Sequence, residues 1–192
     1  MNIRNLIDKE FGRAGFDLEA EQVESSALLL RELKRWNRKM NLTGLKSDEA
    51  MVKVLLLGSA AFTSAHSFSP GERVMDLGSG AGYPGIPLKI LSPGIELTLV
   101  EARVKKAVFL KHLIRTLKLP DTVCYPHRAE EMAQREEMRH RFDTITSRAI
   151  GKLETLLPVV APLLAEGGSF IAMKGADYAA QVAAVETHSA GG

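Results

Sequence analysis

Val74-Met75-Asp76-Leu77-Gly78-Ser79-Gly80-Ala81-Gly82-Tyr83-Pro84-Gly85-Ile86-Pro87-Leu88 reads as a short apolar strand that ends in a carboxylate, runs into three alternating glycines and continues into a helix. Glycine lets a backbone approach a ligand closely and adopts conformations closed to other residues. The helix that follows offers free N–H groups and the positive end of its dipole. Pro87 falls in its first turn, where a missing N–H costs little. The stretch predicts a nucleotide-binding turn between a strand and a helix.

The turn alone leaves the nucleotide open. Gly80-x-Gly82-x-x-Gly85 matches the dinucleotide pattern, so an NAD-dependent oxidoreductase is one reading, resting on those glycines alone. Asp76 argues otherwise. Two residues before the first glycine, it is expected at the mouth of the site, where a negative charge repels a pyrophosphate. The same charge suits S-adenosylmethionine, whose sulfonium and ammonium groups are positive. Downstream, Glu96-Leu97-Thr98-Leu99-Val100-Glu101 reads as a second strand ending in an acid. Glu101 follows the turn by about 20 residues, the offset at which an acid takes ribose hydroxyls. Both cofactor classes use such an acid.

The surrounding chain bounds the architecture. Its 192 residues suffice for one domain with a small extension, and an apolar fraction of 45% is ample for a core. A single cysteine, Cys124, excludes an internal disulfide and suits a reducing cytoplasm. It falls in a short strand, as a small core hydrophobe. The apolar run from Val54 to Phe62 is too short to span a bilayer, and the N-terminus does not read as a secretory signal. Histidine and cysteine show no metal-ligand spacing.

Residues 1 to 69 read as a helical extension: Asn2–Arg13, Glu19–Met40 and Ser47–Ala65, the last with Ser47 as N-cap. Pro70-Gly71 marks a boundary, and residues 70 to 192 alternate strands with helices. Strands are expected near Arg73–Leu77, Glu96–Glu101, Thr122–Tyr125, Phe142–Ser147 and Ser169–Lys174. Helices are expected near Ile86–Leu91, Arg103–Leu117, Ala129–Arg139 and Leu153–Leu164. Such alternation predicts an α/β fold with a parallel sheet covered on both faces, and ligands bound outside the carboxyl ends of its strands. Asp76, Glu101, Tyr125 and Ser147-Arg148 all end strands.

The net charge is only +2, but the positive residues cluster. Arg31, Lys34, Arg35, Arg38 and Lys39 form one group, and Arg103, Lys105, Lys106, Lys111, Arg115 and Lys118 another. These stripes fit a phosphate backbone; they equally fit two solvated helix faces.

Four motifs occur in order: Trp36-Asn37-Arg38-Lys39-Met40-Asn41-Leu42-Thr43, the stretch from Asp76 to Leu88, Thr146-Ser147-Arg148-Ala149 and Ala172-Met173-Lys174-Gly175. Over roughly residues 30 to 178 the chain resembles the bacterial 16S ribosomal RNA guanine-N7 methyltransferases, the small-subunit methyltransferase G family, formerly called glucose-inhibited division protein B. The resemblance implies a class I, Rossmann-like methyltransferase sheet and S-adenosylmethionine as donor. It also implies a target guanine at conventional position 527 of 16S rRNA. On the matching positions, Gly78 and Tyr83 line the donor pocket beside Asp76, Gly80, Gly82 and Glu101. Ala129 and Glu130 flank the adenine, Arg148 stands at the donor site facing the RNA, and Asn41 and Arg128 handle the substrate. Arg35, Arg38, Lys39, Lys105 and Lys106 then become RNA-binding residues. A monomer acting in the cytoplasm on 16S rRNA or the 30S particle, without metal or membrane, is expected.

Two departures stand out. The family's His-x-x-Asp-Ser in the third N-terminal helix is here Leu55-Leu56-Leu57-Gly58-Ser59. The family also continues past Lys174-Gly175 through a helix to an antiparallel strand pair bearing an Arg, making seven strands where five are read here. Segment 177–187 can form the helix. The chain is therefore expected to be a shortened version of a longer sequence, with its fifth strand exposed as an edge. A catalytically weak RNA- and donor-binding relic is the alternative these departures suggest.

Overall fold

The computed structural model describes residues 2–148 and 151–173. Ala149, Lys174, Gly175 and the helix expected over 177–187 lie outside the described residues. The helical part opens with α1 (Ile3–Arg13), capped by the Asn2 side chain accepting from Arg4 N at 3.2 Å. In α2 (Ala20–Asn37), Gln22 Oε1 accepts from Glu19 N at 3.0 Å. Ser47 caps α3 (Asp48–Met51) as expected, its Oγ accepting from Ala50 N at 3.1 Å. The expected third helix is one continuous rod, but with a phase change: Val52–Leu57 is a π-helical turn, and α4 (Gly58–Ala65) resumes after it.

Five parallel strands follow: β1 (Arg73–Leu77), β2 (Glu96–Val100), β3 (Thr122–Tyr125), β4 (Phe142–Arg148) and β5 (Leu164–Met173). They are joined by α5 (Gly85–Leu91), α6 (Val104–Thr116), α7 (Ala129–Ala133) and α8 (Leu153–Val160). The sheet order is β3-β2-β1-β4-β5. The chain winds outward from β1 to β3, then returns to the other side of β1 for β4. The reversal opens a crevice at the carboxyl ends of β1 and β4, where ligands of open α/β sheets bind.

Strand residues alternate between two apolar layers, as a two-residue period requires. Val74, Leu97 and Leu99 join Ile86, Phe109, Leu110 and Leu113 and also Leu6, Leu30, Leu33, Leu56 and Phe62. The helices of residues 1–69 thus share one core with one face of the sheet. Met75, Leu77, Val100 and Ile145 pack on the other face with Met132, Leu156 and Val160. Gln22 stitches the helical part to the sheet layer, its Nε2 donating to Ile90 O and Leu91 O.

Two elements depart furthest from expectation. The helix expected over 129–139 stops at Ala133 and resumes as a short 3-10 turn at Glu136–Met138. β5 starts five residues earlier than expected, running through Gly167 at φ 74 and a register shift opposite Phe142/Thr144. Among the described residues no strand lies outside β5.

Candidate active site

The glycine turn is clamped from below. Ser79 N donates to Val100 O at 2.9 Å, and Gly82 N donates back to Ser79 O at 2.7 Å. Gly78, Gly80 and Gly82 all take positive φ (72°, 57° and 94°), the left-handed region that other residues enter only at a cost. Gly85 is demanded by clearance instead. A Cβ there would lie 2.6 Å from Leu99 Cδ2 and 2.8 Å from Asp76 Oδ2.

Asp76 corrects the charge argument drawn from the sequence. β1 is flanked on both sides by paired strands, so its last side chains lie beneath the turn, and Asp76 is 0% exposed. Its Oδ2 accepts from Gly85 N at 3.1 Å, and Thr146 Oγ1 approaches Oδ1 at 3.4 Å. Burial pushes its carboxyl up to about 7, against the lowering pull of the Gly85, Ser79 and Thr146 hydrogen bonds. Asp76 braces the turn from below and presents no charge at an open mouth.

The shift carries a sign. A carboxyl that titrates higher when folded favours the folded state most below its unfolded value, and that contribution is lost as pH rises through the folded one. Asp76→Asn keeps an acceptor for Gly85 N and removes the titration. Urea unfolding should show the variant gaining stability relative to the parent between about pH 4 and about pH 7. A difference that stays flat across that window would refute the buried-carboxyl assignment.

Glu101 is where the ligand argument placed it, just past the end of β2. Its Oε2 accepts from Gly80 N at 2.9 Å and its Oε1 from Arg103 N at 2.8 Å, and it is 7% exposed. One carboxylate therefore ties the glycine turn to the entry of α6. Ala129 and Glu130 open α7 just past the carboxyl end of β3, with Glu130 exposed and Ala129 against the second core layer. Arg128 precedes them, exposed.

Tyr83 and Arg148 come together from positions far apart in the chain. Tyr83 is 6% exposed. Its hydroxyl and Arg148 Nη1 are buried atoms with no hydrogen-bond partner among the described residues. Burial drives the Tyr83 hydroxyl far above its ordinary range, with Arg148 pulling the other way. Arg148 is lowered by burial, opposed by Tyr83 and Asp76.

The two basic stripes converge in part. Arg38, Lys39, Asn41, Arg103, Lys105 and Lys106 line a cavity of about 480 Å³. Arg103 carries the N–H held by Glu101, so this cleft adjoins the glycine turn. Arg35 faces a neighbouring cavity of about 330 Å³ with Trp36, Lys39 and His112. Lys34 is turned away to Asp48 at 2.7 Å, and Arg128 is not among the cleft-lining residues.

Sequence reasoning passed over Asn37, which shapes the loop carrying Asn41. Asn37 Oδ1 accepts from Leu42 N and Thr43 N at 2.7 and 2.9 Å, and its Nδ2 donates to Thr43 O at 2.9 Å. The available signal was an amide in a helix's last turn, a residue type that readily bonds nearby backbone. Cys124 is half-buried, and burial lifts its thiol to about 11, so it is no nucleophile at neutral pH. Among the described residues no group of three His, Cys, Asp or Glu side chains could hold a metal ion, and no helix is long and apolar enough to cross a membrane.

The strand order, the glycine turn after β1 and the acid after β2 define a class I methyltransferase fold. Solved structures share it. Precorrin-6y C5,15-methyltransferase from Geobacter metallireducens superposes with a TM-score of 0.55 at 16% identity, covering 68% of this chain and 70% of that one. Coclaurine N-methyltransferase bound to N-methylheliamine and SAH gives 0.53 at 16% identity, covering 88% and 57%. Over residues 22–190 the sequence matches the family model for rRNA small subunit methyltransferase G. Ribosomal RNA small subunit methyltransferase G of Caldanaerobacter subterraneus subsp. tengcongensis is 42% identical over 163 residues, 85% of this chain and 68% of that protein. Its counterpart from Roseiflexus sp. is 38% identical over 173 residues, 90% and 74%. The chain belongs to the rRNA small subunit methyltransferase G family, whose methyl donor is S-adenosylmethionine. The oxidoreductase reading falls with that membership.

Proposed function

We propose that this chain methylates N7 of a guanine in 16S rRNA, at conventional position 527, using S-adenosylmethionine. The observation that carries the reading is the junction at Glu101. Its carboxylate holds both the donor-side turn, through Gly80, and the edge of a cleft in which five cations converge.

The residues present fit an adenosyl ligand. A carboxylate has about four acceptor sites, so Glu101 can take ribose hydroxyls beyond the two N–H groups it already accepts. Gly78 is exposed beside it, and Ala129 and Glu130 stand where an adenine would extend past β3. Glu101→Ala should weaken S-adenosylhomocysteine binding about tenfold or more, for the loss of charge-assisted hydrogen bonds. Unchanged affinity by calorimetry would remove Glu101 from the donor site.

When bound, S-adenosylmethionine supplies a methyl group on a positively charged sulfur. Guanine N7 carries a lone pair and no proton, so no general base is required. The work of the chain is to align the two reactants and exclude water, which is worth several orders of magnitude. Methylated guanine is positively charged at the ring, so a guanidinium against N7 would oppose the reaction. Arg148 therefore serves oxygen atoms of the donor, of guanine O6 or of the RNA backbone. Asn41, exposed in the cleft, serves the RNA.

Arg38, Lys39, Arg103, Lys105 and Lys106 form the phosphate-binding surface, with Arg35 at its margin; Arg128, outside the cleft lining, is a further RNA contact. With about six phosphate contacts, binding of single-stranded target RNA should fall with salt at a log–log slope of about 4. A flat response in filter binding would make the stripes mere solvated faces. The helical unit 1–69 supplies Asn41 and two of the five cations of the cleft, and unit 70–192 the other three and the donor site. The protein works as a cytoplasmic monomer without a metal.

A catalytically weak form of the same enzyme is a second reading, favoured by Leu55 and Gly58 where the family carries His and Asp. Incubation with labelled S-adenosylmethionine and unmodified 30S particles, followed by mapping of the methylated base, decides. Label on N7 of the expected guanine supports the first reading, trace turnover the second, and label elsewhere refutes both.

A further inference from the structure

α2 and α6 meet beside the basic cleft, and aromatic rings fill their contact. Phe109 and His112 stand one turn apart on α6. Trp36 of α2 lies against both, its ring centroid 5.4 Å from that of Phe109 and 5.0 Å from that of His112. Phe109 is wholly buried and anchors the group in the core. His112 Nε2 donates to Glu32 Oε2 at 2.7 Å, which fixes the imidazole against α2.

A half-buried tryptophan is ordinary by itself. This one opens onto a cavity of about 330 Å³ lined by Arg35, Trp36, Lys39 and His112. Glu32, Arg35, Trp36 and Lys39 recur at helical offsets, so they share a face. Glu32, the carboxylate beside them, is engaged by His112 and lies 3.7 Å from Arg35 Nη1. The cavity is at the small end of ligand pockets, a volume for one planar ring system. Its walls are two aromatic rings and two cations. Single-stranded nucleic acid is held by that combination, rings stacking on bases while cations take phosphates.

Lys39 also lines the larger cleft with Arg38, Arg103, Lys105 and Lys106. The two cavities therefore adjoin, and a strand whose phosphates follow the cleft passes the mouth of the smaller one. The residues lining the smaller cavity include none from the glycine turn. The target guanine must reach that turn, so a base in the smaller cavity is a different one.

We propose that Trp36 and His112 form a stacking seat for one unpaired nucleobase flanking the target guanine. This rests on the RNA substrate given under Proposed function. The seat grips the strand beside the target and leaves the guanine free to turn toward the donor. Every base has a π face, so the seat positions the strand without reading its sequence.

Trp36 is the one tryptophan of the chain, so its fluorescence reports on the seat. The test titrates the full chain with a single-stranded oligonucleotide spanning the target guanine of 16S rRNA. Anisotropy of a terminal dye follows binding, and tryptophan quenching follows seating. The series is repeated with one abasic nucleotide at each position around the guanine in turn. The intact oligonucleotide should quench Trp36. One abasic position other than the guanine should abolish quenching and weaken binding about tenfold. The log–log salt slope should not change, because every phosphate remains. Trp36→Leu should lose the same affinity for the intact oligonucleotide and nothing more for that abasic one, while Trp36→Phe recovers most of it. Both variants should bind S-adenosylhomocysteine as the parent does, which a disrupted fold would not allow. Quenching that survives every abasic position, or binding without quenching, overturns the seat and leaves the methyltransferase reading standing. Sensitivity confined to the guanine itself also overturns it. An oligonucleotide that does not bind removes the seat and the phosphate-binding surface together. Parent-like oligonucleotide binding by Trp36→Leu, with poor methylation of 30S particles, would give the cavity to a protein of the particle and overturn the base seat.

Discussion

Arg148→Ala is expected to lower methyl transfer to 30S particles by about 10²- to 10³-fold, the usual loss when one preorganised donor is removed from an active site. The unfolding midpoint should hold or rise. Nη1 is buried without a hydrogen-bond partner among the described residues, so the substitution removes a desolvation cost. That pairing of outcomes separates a functional residue from a structural one. A variant that unfolds would mark Arg148 as a packing residue. Near-normal turnover would remove it from the site.

Gly85→Ala should be the most destabilising single methyl that can be added near the turn. The new carbon would meet Leu99 Cδ2 at 2.6 Å, Asp76 Oδ2 at 2.8 Å and Asp76 Cβ at 2.9 Å. All three are buried among close-packed neighbours, so α5 must lift from the sheet or the Gly85 N–H bond to Asp76 must lengthen. A cost of about 3 kcal/mol is expected for overpacking of this kind. Gly80→Ala provides the contrast. Its Cβ would meet nothing nearer than Gly78 O at 3.8 Å, so it carries only the left-handed backbone penalty, about 1–2 kcal/mol. Urea titration of the two variants ranks them. Equal losses would mean that conformation, and not clearance, dictates glycine at position 85.

Much of the fold was legible because strands in a doubly covered sheet are short apolar runs bounded by turn residues. β1 and β3 have the expected limits, and β2 and β4 differ by one residue. β5 was harder. Its first half contains Glu166, Gly167 and Gly168, which read as a turn, yet they pair beside β4 because a register shift absorbs the irregularity. The π turn at Val52–Leu57 has no sequence signature, since its residues are ordinary helix formers.

The position of Glu101, past the end of β2 and bonded to Gly80 N, was readable from its offset alone. Asp76 was misread, because a strand-end carboxylate can point into a crevice or under the turn, and only the packing of β2 and β4 around β1 decides. The meeting of Tyr83, Arg148 and Gly58, and of Lys39 with Lys105, depends on strand order and helix placement. Neither is written in local pattern.

The π turn ahead of Gly58 has a genetic consequence. Such a turn holds one residue more than an α turn, so every residue after it is rotated by about 100° around the rod relative to a regular helix. Loss of a single codon at exposed Lys53 or Val54 would leave a continuous, even more regular helix. It would also swing Gly58 off the face that meets Arg148 and turn Phe62 out of the core. An in-frame deletion that looks silent by helix propensity would thus rewire the crevice, whereas most substitutions at those two exposed positions would leave it untouched.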